Sequence, residues 1–235
     1  MSLQQRAWRW HRWLGWLAGL QVLVWVSSGL LFALLPFDPW VKGADDLQRP
    51  VLALTALPAG LENIPPAQVR SLVAVATAAG PAWRVGLQGE PRPRHLPMGG
   101  GAWAAPDAAA IQAYAQTLLK APLPVREVQR LAQVPTRLFI VDETGGRGDL
   151  WRVQFDDALG TRLYFDGPSG EFVTHRNEAW VWYDFFWRLH IMDYTGGEDF
   201  NNTLLRVAAL LSWALVAAGV LLAVLAARRR LRRRH

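Results

Sequence analysis

The chain has 235 residues and no cysteine. That excludes disulfides and thiolate chemistry, so any domain it builds in an oxidising compartment must hold through its core alone. Charge is missing from two long stretches. Trp13–Phe37 runs 25 residues and Val207–Ala227 runs 21 residues without an acid or a base. Acid is missing from both ends, since all 19 acidic residues fall within 38–206. There is no phosphate-cradling loop, no dinucleotide glycine fingerprint and no twelve-residue calcium loop. A catalytic triad is not supported: Ser27 and Ser28 lie in an apolar run, and Ser169 is in a turn without a nearby acid–histidine partner.

What is there begins with those two runs. A bilayer core of about 30 Å needs roughly 20 helical residues, and both runs are long enough. Arg6, Arg9 and Arg12 precede the first; Arg228, Arg229, Arg230, Arg232, Arg233 and Arg234 follow the second. Excess arginine marks cytoplasmic flanks, so both termini are expected inside and the region between them outside. The high pI comes from these ends. It speaks for anionic lipid headgroups rather than nucleic acid. The first run is too long for a cleavable signal and lacks a small-residue cleavage site, so it reads as a signal-anchor.

Trp8, Trp10, Trp13 and Trp16 bracket the entry of the first helix, as interfacial tryptophans do. Gly15 and Gly19 form a GxxxG that would permit close helix packing. Pro36 and Pro39 end the helix. His11 reads either as an interfacial histidine among arginines or as an axial ligand to a haem iron.

Between the helices the pattern is α+β. Residues 42–60 read as a linker. A short helix is expected from Ile64 through Val73, with Val69, Leu72 and Val73 on one face. Trp83–Leu87 alternates as a strand, and Pro91–Gly101 reads as a loop that leaves His95 solvent-exposed. Ala108–Lys120 carries Ile111, Tyr114, Ala115, Leu118 and Leu119 at helical spacing. Val125–Leu131, Leu150–Phe155 and Thr161–Phe165 read as strands, with a hairpin turn at Asp156–Gly160 and a second tight turn at Asp166–Gly170 before Phe172 and Val173.

Leu150–Val173 resembles the PepSY domain, whose last hairpin carries a D-P-x-T-G-E-like turn. Here the turn is Asp166-Gly167-Pro168-Ser169-Gly170-Glu171, with one residue inserted and serine for threonine. Residues 62–90 read as a decayed first copy of the same unit. Trp187–Asn201 is similar to the L-H-x-x-D-Y-T-G-G-x-D-F-N run of short PepSY-associated transmembrane proteins, and Trp10–Gly15 to their first-helix start. The resemblance implies a module on the bacterial cytoplasmic membrane, with its central domain extracytoplasmic. PepSY domains are linked to peptidase inhibition or chaperone-like roles. Larger four-helix relatives look like haem-bearing reductases of iron uptake; this chain has two helices rather than four.

The expected fold class is therefore an α+β membrane protein, two transmembrane helices flanking a PepSY-like domain in which a helix packs on a small antiparallel sheet. Its segments are a basic N-terminus over 1–12, a span over 13–37, a linker and degenerate unit over 38–104, the PepSY-like domain over 105–176, an aromatic interfacial segment over 177–206, a second span over 207–227 and an arginine-rich tail over 228–235.

Two functions remain open. One is an accessory module that binds a protein partner or a larger membrane complex. The other is a haem-b electron-transfer subunit. In the second, His190 and His11 bind iron, Arg188 meets a propionate, and a homodimer supplies each iron with a second imidazole; His175 is a rival partner for His190. The polar cluster around them, with Asp193, Tyr194, Thr195, Gly196, Gly197, Asp199 and Asn201, has a plainer reading. Trp180, Trp182 and Trp187 form an interfacial belt, Thr195-Gly196-Gly197 is a turn, Glu198 and Asp199 sit at the N-terminus of helix two, and Asn201 or Asn202 caps it. Asp193, Glu198 and Asp199 also offer oxygens of the kind calcium takes. Neither Thr-Gly-Gly run has the pattern of a covalent flavin site, which argues against FMN.

Overall fold

The computed structural model describes residues 3–42, 47–48, 50–52 and 61–232. Most of the linker expected over 42–60, and the tail end at 233–235, lie outside the described residues. The chain forms two compact units, Met1–Leu35 with Tyr183–His235, and Pro36–Trp182.

The first unit pairs α1 (Leu3–Leu34) with α4 (Thr203–Arg232). Their apolar parts, Gln5–Leu34 and Thr203–Leu231, are 30 and 29 residues long. At about 1.5 Å per residue each rises about 45 Å, more than a hydrocarbon core of about 30 Å. Trp16, Leu20 and Leu23 on α1 and Leu210, Trp213 and Val216 on α4 point outward and are largely exposed. Apolar surface on that scale is costly against water and costs nothing against lipid. The Gly15–Gly19 pair does not serve as a close-packing notch: a Cβ at Gly15 would make only ordinary contact, 3.9 Å from Leu215, and one at Gly19 would meet open space. The close approach is at Gly219 instead, where a Cβ would lie 3.1 Å from the His11 ring.

The second, central unit holds two antiparallel sheets. The first is β1 (Val69–Thr77), β2 (Gly80–Leu87) and β3 (Arg94–Pro97), in that spatial order. The second is β4 (Val125–Gln133), β5 (Gly148–Phe155), β6 (Arg162–Asp166) and β7 (Phe172–Arg176), also in sequence order. Between the sheets in sequence lies α2 (Ala108–Thr117), capped by Asp107, whose side chain accepts from Ala110 N–H at 2.8 Å. Ile111 and Ala115 of α2, with Leu118 and Leu119 beyond it, close over Val153 and Phe155 of β5 and Leu163 and Phe165 of β6. These strand residues alternate, as one face of a sheet requires.

Strand β6 is buried on both faces. On the face away from α2, Arg162 and Tyr164 meet Glu143, with Tyr164 Oη donating to its carboxylate at 2.5 Å and Arg162 Nη2 at 2.5 Å. Arg162 also donates to Glu178 at 2.7 Å, in the first turn of α3 (Glu178–Ile191). A buried charge needs such a partner. Burial beside Glu143 pushes the Tyr164 hydroxyl well above its ordinary value.

Three expectations need correction. The helix expected over Ile64–Val73 is a 3₁₀ turn at Pro66–Gln68 followed by β1. Val73, Val75 and Thr77 recur every second residue, and this β-branched strand period outweighs the helical spacing of Val69, Leu72 and Val73. The Pro91–Gly101 loop contains β3, and His95 in it is nearly covered, its side chain 10% exposed. The interfacial segment over 177–206 contains α3.

Candidate functional site

The segment with the most specific motif, Leu189–Asn202, ends α3 and reverses the chain into α4. Its centre is Asp193. Both carboxylate oxygens accept backbone N–H groups: Oδ1 from Thr195 at 3.2 Å and Gly196 at 3.1 Å, Oδ2 from Glu198 and Asp199 at 3.0 Å each. The Thr195 hydroxyl adds a fifth donor at 3.1 Å. The N–H of Asp199, foremost of the four backbone donors, holds the Asp193 carboxyl far below the usual carboxylate range, against the opposing effect of burial.

The rest of the motif locks around that carboxylate. Arg188 is 4% exposed, bonds Asp184 at 2.6 Å and donates to the Thr195 carbonyl at 3.0 Å. The Trp187 indole donates to the Gly197 carbonyl at 3.0 Å. Gly197 has φ +76°, and a Cβ there would stand 2.9 Å from Arg188 Cζ, so both its backbone and its neighbour require glycine. Asn202 donates to Ile191 and Asp199 carbonyls at 2.9 and 2.8 Å and accepts from Leu205 N–H at 2.8 Å, which makes it the cap of α4. Glu198 and Asp199 lie upstream of the helix, whose first turn holds no acid, so the expected charge–dipole pairing at that end is absent. Asn201 is exposed, and its N–H meets Asp199. Tyr194 is 40% exposed. Asp193, Glu198 and Asp199 form no metal-holding group among the described residues.

His190 sits near the end of α3, in the same unit as α1. Its Nδ1 lies 2.7 Å from Ser28 Oγ. The Ser28 hydroxyl also reaches the Val24 carbonyl at 2.7 Å and the Trp25 carbonyl at 3.2 Å, so giving its one proton to either leaves it an acceptor for an Nδ1–H imidazole. Trp187 stacks parallel to the ring with centroids 6.5 Å apart, and Phe32 meets it edge-on at 5.8 Å. Trp25 and Gln21 of α1 donate to the His190 and Leu189 carbonyls at 2.6 and 3.2 Å, which satisfies groups a helix end leaves open. His11 Nδ1 lies 3.1 Å from the Leu215 carbonyl of α4; a carbonyl only accepts, so this imidazole is also Nδ1–H. Among the described residues, Nε2 of neither histidine has a hydrogen-bond partner. Ser28 and His11 are seventeen residues apart on α1, which is about 25 Å.

The structure separates the remaining residues. Trp8, Trp10 and Trp13 are exposed on α1, and Trp182 is half exposed. Trp187 is instead half-buried in the α1–α3 packing, against Phe32 at 6.1 Å. Trp180 lies in the central domain beneath the Arg176 guanidinium, 4.0 Å from its ring centre. His175 is buried within β7 of the central domain.

A cleft in the central domain was not visible in sequence. It has a volume of about 560 Å³ and lies between the Asp166–Glu171 turn, the Pro91–His95 segment and the start of β5. Glu171 anchors one side: its carboxylate pairs with Arg84 of β2 and lies 3.4 Å from His95 Nε2 of β3. Ala78 N–H donates to the Gly170 carbonyl at 3.0 Å, and Thr77 bridges Glu171, so this turn of the second sheet is fastened to the first. Tyr114 of α2 joins the same seam through the Ala76 carbonyl at 3.0 Å; burial, with the Glu171 charge nearby, pushes its hydroxyl up to about 12. Proline-rich loops and hairpin turns give no local signal that they will meet, which is why the cleft escaped the pattern reading.

Set against known proteins, the chain matches no family model, no curated protein and no solved structure.

Asp193 gives a pH prediction. Its folded value lies below the unfolded one, near 3.9 for an ordinary aspartate. Its contribution is therefore complete above about pH 4 and is lost as pH falls further toward the folded value. Thermal unfolding of the detergent-solubilised protein should show Asp193→Asn less stable than wild type at pH 7, with the gap closing below about pH 4. A gap that is constant with pH contradicts the hub role.

Proposed function

We propose that this chain is a membrane-anchored binding module: α1 and α4 cross the bilayer, both termini lie in the cytoplasm, and the central domain, of PepSY type, receives a protein partner outside. The length and outward apolar faces of the two helices support the anchoring. The arginine flanks support the orientation. The resemblance of the Asp166–Glu171 hairpin and of the Asp193–Asn201 run supports the PepSY-type reading.

The observation that carries the binding role is the cleft. Its volume of about 560 Å³ falls within the range of ligand pockets, roughly 300–1,000 Å³. Phe172 and Pro168 give it apolar walls, and guanidiniums stand at its mouth. The Leu189–Asn202 motif is, on this reading, the rigid corner that joins the anchor to α3, since its polar groups are engaged with one another.

A photo-crosslinking residue at Val173, inside the cleft, should give a discrete protein adduct in intact cells. The same residue at Phe139, which is 97% exposed and outside the cleft, should not. No adduct from Val173, or the same adducts from both positions, would sink the partner-binding role.

One observation favours a second reading, a haem-b electron-transfer subunit. His190 and His11 both set Nδ1 against a neighbouring oxygen and leave Nε2 open, the arrangement that orients a ligating imidazole. Haem would supply one-electron chemistry there. The two histidines are about 25 Å apart along α1, so each iron would need its second imidazole from another copy of the chain. Arg188 fits the propionate role poorly, because its guanidinium is already in a buried pair with Asp184. The purified protein with added haem should, on this reading, show a reduced α-band that His190→Ala removes. A spectrum of free haem alone excludes it.

A further inference from the structure

The charges around the cleft are unevenly committed. Glu171 is held by Arg84 and faces His95. Asp166 turns its carboxylate into its own hairpin, where Oδ2 accepts from Ser169 N–H at 3.0 Å and from the Ser169 hydroxyl at 2.6 Å. Arg92 and Arg147 also line the cleft, both exposed, and among the described residues neither guanidinium makes an ion pair. The acids of the site are thus turned inward, while two cations at its rim are open to a ligand. Behind them is an apolar surface made by Pro168 and Phe172, both partly exposed.

A guanidinium beside a partly enclosed apolar wall selects carboxylates, which it binds through paired N–H donors. Two such groups over one cleft ask for more than one carboxylate on a ligand that also carries an apolar side chain. The cleft is too small for a folded domain, and its volume suits a few residues of extended chain.

We infer that this cleft binds a short acidic segment of the protein partner, with Arg92 and Arg147 each taking a carboxylate and an apolar side chain seated against Pro168 and Phe172. This rests on the binding-module reading above and specifies its ligand. Glu171 is already paired with Arg84, which leaves Arg92 and Arg147 as the cations open to the ligand. Attraction of this kind weakens with salt, because the guanidiniums are exposed at the rim.

The test uses the full chain in nanodiscs of uncharged lipid and a fluorescent hexapeptide of alternating glutamate and leucine, with glutamine–leucine and lysine–leucine peptides for comparison. Anisotropy should show the glutamate peptide binding at least about tenfold more tightly than the glutamine one, and Arg92→Glu with Arg147→Glu should remove that preference and favour the lysine peptide. Both arginines are exposed, so the double variant should keep the wild-type unfolding temperature. Acetate or inorganic phosphate should compete only weakly. Equal binding of the glutamate and glutamine peptides, no binding of any peptide, indifference to the double variant, or free anions competing as well as the peptide would each overturn the acidic-ligand inference. The Val173 adduct separates the two failures. An adduct without acidic-peptide binding refutes the ligand class alone, whereas no adduct refutes the module itself.

Discussion

The seam that joins the two sheets of the central domain, where Glu171 pairs with Arg84, is the constraint that positions its cleft. Glu171 ends the turn between β6 and β7, Arg84 lies in β2, and the two residues are far apart in sequence but fasten one sheet to the other. The backbone bond from Ala78 to Gly170 and the tyrosine bond from Tyr114 to Ala76 lie along the same seam. Without that seam the three-stranded sheet would have no helix of its own to cover it, and small sheets need such cover. The cleft exists because the seam closes one side and leaves the other open.

A second polar device plays the same part in the helical unit. The reversal from α3 to α4 needs closely spaced N–H groups to point inward, and an inward N–H must find an acceptor. Asp193 supplies both oxygens, and its charge is balanced by donors rather than by a cation. Arg188 and Asp184 then close the same corner as a buried pair. A run that looks like a reactive cluster in sequence is thereby accounted for as backbone satisfaction at a tight corner. The two histidines stand apart from it, each with one ring nitrogen engaged and one open.

The parts legible in sequence were those with a local signal. Charge-free runs marked α1 and α4. Helical spacing in Ile111–Leu119 marked α2, and the alternation in Leu150–Phe155 and Thr161–Phe165 marked the central strands. Asn202 was legible as a cap because its chemistry is local. Strand β1 was missed because three apolar residues mimicked a helical face, although the β-branched run beyond them keeps the period of a strand. Helix α3 was missed because its aromatic residues also fit an interfacial belt. The cleft was illegible for a different reason. Arg84, Arg92, Arg147 and Glu171 come from separate segments, and only pairing of the sheets brings them together. The one available hint was the polar Asp166–Glu171 turn, which by itself shows no cleft.

The absence of cysteine makes the central claim directly measurable. A single cysteine at Phe139, in the central domain, and another at Leu231, near the end of α4, can each be treated with a membrane-impermeant maleimide in intact cells with a permeable outer layer. The account predicts that Phe139→Cys is labelled in intact cells and Leu231→Cys only after the membrane is broken. Labelling in the opposite order, or of both sites alike, would contradict a module anchored by two spanning helices with its binding domain outside.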